Sequence, residues 1–161
     1  MREFIKKIIN YAASINNRQT SLLKEIVFNN LNNNSIKHDL DIDNEKLFDL
    51  LIDLKGTSLV EGINIINSLI EVLNLDGDVC EFGVAQGKTT KLISYLIKDT
   101  EKKIYLFDSF MGLPAPSKED ILKDDIFNLK KMSLYEGKMS HNEKKVLSEL
   151  NSINFDEKKI I

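Results

Sequence analysis

Residues 79–108 constrain the fold more than any other part of the chain. A short apolar run of strand type leads into two glycines, Gly83 and Gly87, and a helical pattern follows them. A second strand-like run over residues 104–107 ends on Asp108. Strand, glycine turn, helix, strand and acid, in this order, predict the first half of an α/β unit that binds a nucleotide or a nucleoside.

The residue types in this unit each suit a binding role. Gly83 and Gly87 allow backbone angles and close approaches that a Cβ atom would prevent. A helix that begins near Gly87 points free N–H groups and the positive end of its dipole at whatever docks there. Asp108, roughly 20 to 25 residues beyond the first glycine, can accept hydrogen bonds from two vicinal ribose hydroxyls.

Length and composition indicate a cytoplasmic protein of ordinary make-up. The 161 residues are 42% hydrophobic and 29% charged with a net charge of −3, so no basic excess points to nucleic acid. The single cysteine, Cys80, has no partner for an internal disulfide and is predicted to lie in a buried strand, which favours a reducing compartment. No apolar run approaches the ~18 to 20 residues of a membrane span.

Helices are predicted on the N-terminal side of the glycine unit. We expect a helical arm over residues 1–55, in which apolar residues recur at helical spacing. The last helix of this arm is predicted to be capped at Asp43 or Asn44. Ser58 and Glu61 then match a capping box, the reciprocal pair of hydrogen bonds that opens a helix.

The chain after Asp108 is predicted to form a loop, two helices and the start of a strand. Two prolines and a glycine close together predict a shaped loop. A mostly polar helix is predicted over residues 117–131, and a second capping box at Ser140 opens another helix. A charged turn followed by Ile160 predicts the beginning of a third strand, so we expect only the first part of an α/β fold. The residues expected to face inward from the polar helix are Ile121, Leu122, Ile126 and Leu129.

Two phosphate-binding interpretations of the glycine unit are weighed first. Residues 87–89 match the end of the P-loop pattern G-x-x-x-x-G-K-[ST], but three residues separate the two glycines where that loop needs four. The loop wraps a phosphate with successive N–H groups, so a deletion changes the ring that holds it. A dinucleotide site needs G-x-G-x-x-G, and its middle glycine is replaced by Ala85.

Two further interpretations involve no phosphate. S-adenosylmethionine needs an open turn for its methionine end and an acid for its ribose, and Glu81 can orient the turn or meet the ammonium group directly or through water. Alternatively the unit is a plain α/β turn in which Glu81 is buried and hydrogen-bonded and no ligand binds. Glu81 stands among Cys, Phe and Val, where an unpaired carboxylate is costly.

Two sequence segments carry a family resemblance. They are EFGVAQGKTT at residues 81–90 and LFDSFMGLP at residues 106–114, the second being the more specific. With them the chain resembles the macrocin-type (TylF/MycF-like) O-methyltransferases, class I S-adenosylmethionine-dependent enzymes that act on sugar hydroxyls. The resemblance extends from about Gly56 to Ile161, and residues 1–55 show no match.

The resemblance implies a partial Rossmann-like domain over residues 56–161, preceded by the arm of residues 1–55. It implies the N-terminal part of an S-adenosylmethionine-dependent O-methyltransferase, inactive alone, with a sugar or other small molecule as acceptor. A magnesium ion is implied only for the complete enzymes, with its ligands outside this chain, and a homo-oligomer is an option left open. The cofactor-binding residues implied are Glu81, Gly83, Gly87, Thr89, Asp108, Ser109 and Thr57.

No residue is predicted to be catalytic. Neither His38 nor His141 has neighbours in the sequence that suggest a metal site or a base. The alternatives to a methyltransferase are a non-catalytic remnant or assembly module and, third, a P-loop-like nucleotide-binding protein.

Overall fold

The fold is described from a computed structural model. The described residues are 43–161, together with Ser21, Leu22, Lys24, Glu25 and residues 27–29. The predictions for His38 and for most of the arm of residues 1–55 lie outside them.

Helices flank a small parallel sheet, which makes the described part of the chain mixed α/β. The strands pair in parallel, with Val79 opposite Ile104 and Phe82 opposite Phe107. None of the described helices has the length and apolar character that crossing a membrane would require. The order is α1 (Asn44–Ile52), α2 (Leu59–Val72), β1 (Val79–Phe82), α3 (Lys88–Ile97), β2 (Ile104–Phe107) and α4 (Glu143–Asn151), with 3-10 turns at Met132–Leu134 and Glu157–Lys159.

Two of the three predicted helix caps are confirmed. Asp43 caps α1 by accepting a hydrogen bond from the Lys46 amide at 3.0 Å. Ser58 and Glu61 form the predicted capping box at the start of α2.

The capping box predicted at Ser140 is wrong, because α4 begins at Glu143 with Asn142 as its N-cap. The Asn142 side chain accepts a hydrogen bond from the Lys144 amide at 2.9 Å. Asparagine caps at least as well as serine, and Asn142 stands directly before the first helical residue.

The segment predicted to begin a third strand lies beside β2, where it is paired through an isolated bridge and not as a strand. Ile160 forms a parallel bridge with Ile104. The Ile161 amide donates to the Ile104 carbonyl at 3.0 Å, and the Leu106 amide donates to the Ile161 carbonyl at 2.9 Å. Strand β2 therefore lies between β1 and this terminal segment.

One hydrophobic core joins the helices to one face of the sheet. Ile104 is fully buried in it, and Val79 and Leu106 pack against it. Residues on both sides of position 55 share this core. Its other most buried members are Leu47, Leu51, Ile66, Ile70, Leu92, Ile97, Leu150 and Val27.

The other face of the sheet is open within the described residues, which corrects the prediction for Cys80. Successive side chains of a strand point to opposite faces, so Cys80 and Phe82 point away from the core that Val79 joins. Cys80 is exposed, and Phe82 is 78% exposed. The Phe82 ring stacks on that of Phe107 with centroids 4.8 Å apart. We call the exposed side chains of Cys80, Phe82 and Phe107 the open face.

The helix predicted over residues 117–131 is wrong, since the segment is a loop. The Asp125 carboxylate accepts hydrogen bonds from the amides of Leu129 and Lys130, at 2.8 and 2.7 Å. Such side-chain bonds offer the backbone an alternative to helical pairing. Of the residues expected to face inward, Ile121 and Ile126 are exposed and Leu122 and Leu129 are half-buried.

Candidate functional site

The glycine turn lies at the carboxyl ends of both strands. The Gly83 amide donates to the Phe107 carbonyl at 2.9 Å and so extends the strand pairing, and the Gly87 amide donates to the Val84 carbonyl at 2.9 Å. Helix α3 follows with Gly87 as its N-cap and no side-chain cap. The first N–H groups of α3 are therefore open towards the turn.

The two glycines meet different needs. Both have positive φ, +87° at Gly83 and +75° at Gly87, which side chains rarely adopt. A Cβ added at Gly83 would meet nothing within 4 Å, whereas one at Gly87 would lie 3.0 Å from Val146 Cγ1 and 3.2 Å from its Cα. Gly87 thus allows α4 to pack against the turn, and Gly83 leaves its outer side open to a ligand.

Asp108 holds the turn against the end of β2. Its Oδ2 accepts from the Ala85 amide at 2.9 Å and its Oδ1 from the Phe110 amide at 2.7 Å. The hydrogen bond from the Ala85 amide is the largest cause that lowers the pKa of Asp108. Burial acts in the opposite direction, while the Phe110 and Val84 amides and the charge of His141 lower this pKa further. The carboxylate is therefore ionised, and each oxygen keeps acceptor capacity beyond these bonds.

Glu81 lies across the turn from Asp108, on the side of β1 that faces the helices. Its Oε2 is buried and has no hydrogen-bond partner among the described residues. Burial raises the pKa of Glu81 to about 7, the Thr90 hydroxyl opposes this rise, and the charge of Asp108 adds to it. One oxygen of Glu81 thus lacks the hydrogen bond that the ligand-free interpretation expects, while the Thr90 hydroxyl lies close enough to act on the carboxyl group.

Thr57 and Thr89 meet at the start of α3, although they are 32 positions apart in the sequence. Their hydroxyl oxygens are 3.0 Å apart and hydrogen-bonded. This contact links the segment before α2 to the first turn of α3.

Ser109 is exposed, and its hydroxyl accepts a hydrogen bond from the Met111 amide at 3.3 Å, which shapes the loop after Asp108. The seven predicted site residues thus flank the turn or the chain that borders it.

Lys88 is held in ion pairs with two acids from outside the turn. Its Nζ lies 2.7 Å from both Asp53 Oδ2 and Glu149 Oε1, and Lys91 Nζ lies 2.9 Å from Glu149 Oε2. Burial alone would raise the pKa of Glu149, but the hydrogen bonds from Lys88 and Lys91 outweigh it and lower this pKa. A P-loop needs this lysine on a phosphate, whereas here it bridges α3 to α4 and to the residue after α1.

His141 is the residue near the site that the sequence did not reveal. It is half-buried, and its charge helps to lower the pKa of Asp108. The loop brings it there: the Leu113 amide donates to the Lys138 carbonyl at 2.8 Å, and the Gly137 amide donates to the Leu113 carbonyl at 2.9 Å. No local pattern signals these contacts.

Comparison with protein-family models, with curated proteins and with solved structures gave no match for this chain. Within residues 43–161 and the described positions before them, no group of three or more His, Cys, Asp or Glu side chains is arranged to hold a metal ion. The chemistry of the site therefore has to follow from its own geometry.

Proposed function

We propose that this chain carries the cofactor-binding part of an S-adenosylmethionine-dependent O-methyltransferase, built on part of a Rossmann-like fold. The observation that supports this most is the meeting of Glu81 and Asp108 across a glycine turn at the carboxyl ends of neighbouring parallel strands. Ligands of open α/β sheets bind at these ends. The effect of the Asp108 charge on the pKa of Glu81 places the two carboxyl groups within electrostatic reach of each other.

The charges at the turn favour a cation over a phosphate. Two acids border the turn, while Lys88, the lysine that a phosphate would need, is paired with Asp53 and Glu149. S-adenosylmethionine has a sulfonium and an ammonium group, and its ribose presents a vicinal diol. A P-loop-like nucleotide site is accordingly the least favoured of the three functions considered.

The residues present fit this cofactor. The open outer side of Gly83 admits its methionine end, and the partnerless Oε2 of Glu81 accepts from its ammonium group, directly or through water. Asp108 accepts from the ribose hydroxyls with the acceptor capacity that the Ala85 and Phe110 amides leave. When bound, the cofactor supplies an electrophilic methyl group, and these residues bind and orient it. The sugar-hydroxyl acceptor is proposed from the family resemblance alone.

The open face favours a second candidate, a non-catalytic assembly module. Phe82 and Phe107 present a stacked apolar pair, and the outer edge of β1 is unpaired within the described residues. Such edges accept an added strand from another chain. This candidate predicts no binding of the cofactor.

Isothermal titration of the chain with S-adenosylmethionine separates these functions. Replacement of Asp108 by alanine is expected to weaken binding by about tenfold or more, because hydrogen bonds to a charged group contribute about 1.5–3 kcal/mol. Asp120→Ala is the control, since that exposed carboxylate bonds to Ser117 in its own turn. Equal affinities of the two variants would contradict the proposal. Absence of binding would favour the assembly module, and ATP binding that depends on Lys88 would favour the nucleotide site.

A further inference from the structure

Three buried oxygen atoms on β1 and α3 have no hydrogen-bond partner among the described residues. They are Oε2 of Glu81 and the hydroxyl oxygens of Thr90 and Ser94, two fully buried residues of α3. Thr90 and Ser94 are one helical turn apart and share a face of α3, and the Thr90 hydroxyl acts directly on Glu81. Leaving buried polar groups unpaired is costly, so a form of Glu81 that can donate a hydrogen bond is favoured here.

Within the described part of the chain, no positively charged group acts on Glu81. Asp108 adds a second negative charge after β2, and His141 acts on Asp108. A carboxylate that is buried near another and lacks a counter-ion binds a proton more readily. The charged side chains of α3 are Lys88 and Lys91, which pair with Asp53 and Glu149.

We infer that this site takes up its cationic ligand in exchange for a proton held by Glu81, an inference that rests on the proposed function. In the free protein the protonated carboxyl group of Glu81 donates a hydrogen bond to the Thr90 hydroxyl. The ammonium or sulfonium group of the arriving ligand brings the missing positive charge. The carboxyl group then ionises and releases its proton to the solvent, so one positive charge replaces another.

The number of protons released on binding follows from the pKa of Glu81 in the ligand-free protein. Because the pKa of Glu81 is about 7, the carboxyl group is largely protonated at pH 6 and largely ionised at pH 8. We expect the affinity for S-adenosylmethionine to rise about tenfold between these values, and about half a proton to be released per ligand at pH 7.

Calorimetric titration of the chain with S-adenosylmethionine, at pH 6, 7 and 8 and in two buffers of different ionisation enthalpy, measures both quantities. The ligand's own amino group titrates near pH 7.7–8.0, as α-amino groups do, and contributes equally in every variant. The variant Glu81→Gln is expected to bind without the proton release that Glu81 contributes and without the rise in affinity. Glu101→Gln, an exposed carboxylate after α3, is the control and should behave as the unmodified chain.

The outcomes distinguish this inference from the function on which it rests. Binding with no proton release, or release that persists in Glu81→Gln, would overturn the inference and leave the proposed function standing. No binding at any of the three pH values would overturn both. Proton release that is lost only in Glu81→Gln supports both.

Discussion

Replacement of Gly87 by alanine is expected to lower the free energy of unfolding by about 2–5 kcal/mol. Two effects add. A non-glycine residue at φ +75° costs about 1–2 kcal/mol. The new Cβ would also lie 3.0–3.2 Å from Val146, including its backbone Cα, and such overpacking typically costs about 1–3 kcal/mol. Urea denaturation followed by circular dichroism measures the loss.

Gly83→Ala is the matched control for this prediction. Its φ of +87° imposes a similar backbone penalty, but its new Cβ would meet no atom within 4 Å. The alanine at Gly87 should therefore be clearly the more destabilising of the two. Equal losses would mean that α4 does not pack against the turn as described.

Replacement of Glu81 by glutamine is expected to stabilise the protein at pH 8 by up to about 3 kcal/mol. Burial raises the pKa of this carboxyl group from an ordinary 4.5 to about 7. The folded protein therefore holds the proton more tightly than the unfolded chain does. Stability falls as the pH rises through the window from about 4.5 to 7, and glutamine removes this fall because it does not ionise.

Thermal or urea unfolding of both proteins at pH 5 and pH 8 checks this prediction. The gain from Glu81→Gln should be small at pH 5 and largest at pH 8. The pKa values of Asp108 and Glu149 are lowered, so these groups lose stabilisation only at more acidic pH and do not imitate the effect. A glutamine variant with the same pH dependence as the unmodified chain would show that Glu81 is not the titrating group.

Local rules account for the parts of the fold that the sequence predicted well. The capping box at Ser58 is a contact between residues three apart, and the positive φ of Gly83 and Gly87 follows from the tight connection between strand and helix. The alternation of side chains along β1 predicts that Val79 and Glu81 share a face. All of this is decided within a few residues.

Contacts distant in sequence decide what was not predicted. Alternation in β1 shows that Cys80 and Phe82 share a face but not whether anything covers it, and within the described residues nothing does. The helical pattern of residues 117–131 is overridden by the carboxylate of Asp125. Lys88 was weighed as a phosphate ligand, and its pairing with a residue 61 positions away has no local signature.

The sequence indicated which residues border the glycine turn, but not which hydrogen bonds they form there. The sequence predicts that Asp108 binds a ribose diol. In the structure its oxygens also accept hydrogen bonds from the amides of Ala85 and Phe110. Glu81 was recognised as a costly acid in apolar surroundings, but its lack of a partner depends on how α3 packs. Sequence patterns indicate which groups meet, whereas packing decides which of them stay unsatisfied.

The central claim is that the turn between Glu81 and Asp108 binds a sulfonium nucleoside. Titration of the ¹⁵N-labelled chain with S-adenosylmethionine, followed by amide chemical shifts, tests it most directly. The account predicts that the largest shifts fall on residues 83–87 and 108–110, with the open face unchanged. Shifts confined to other parts of the chain, or no shifts at saturating ligand, would contradict it.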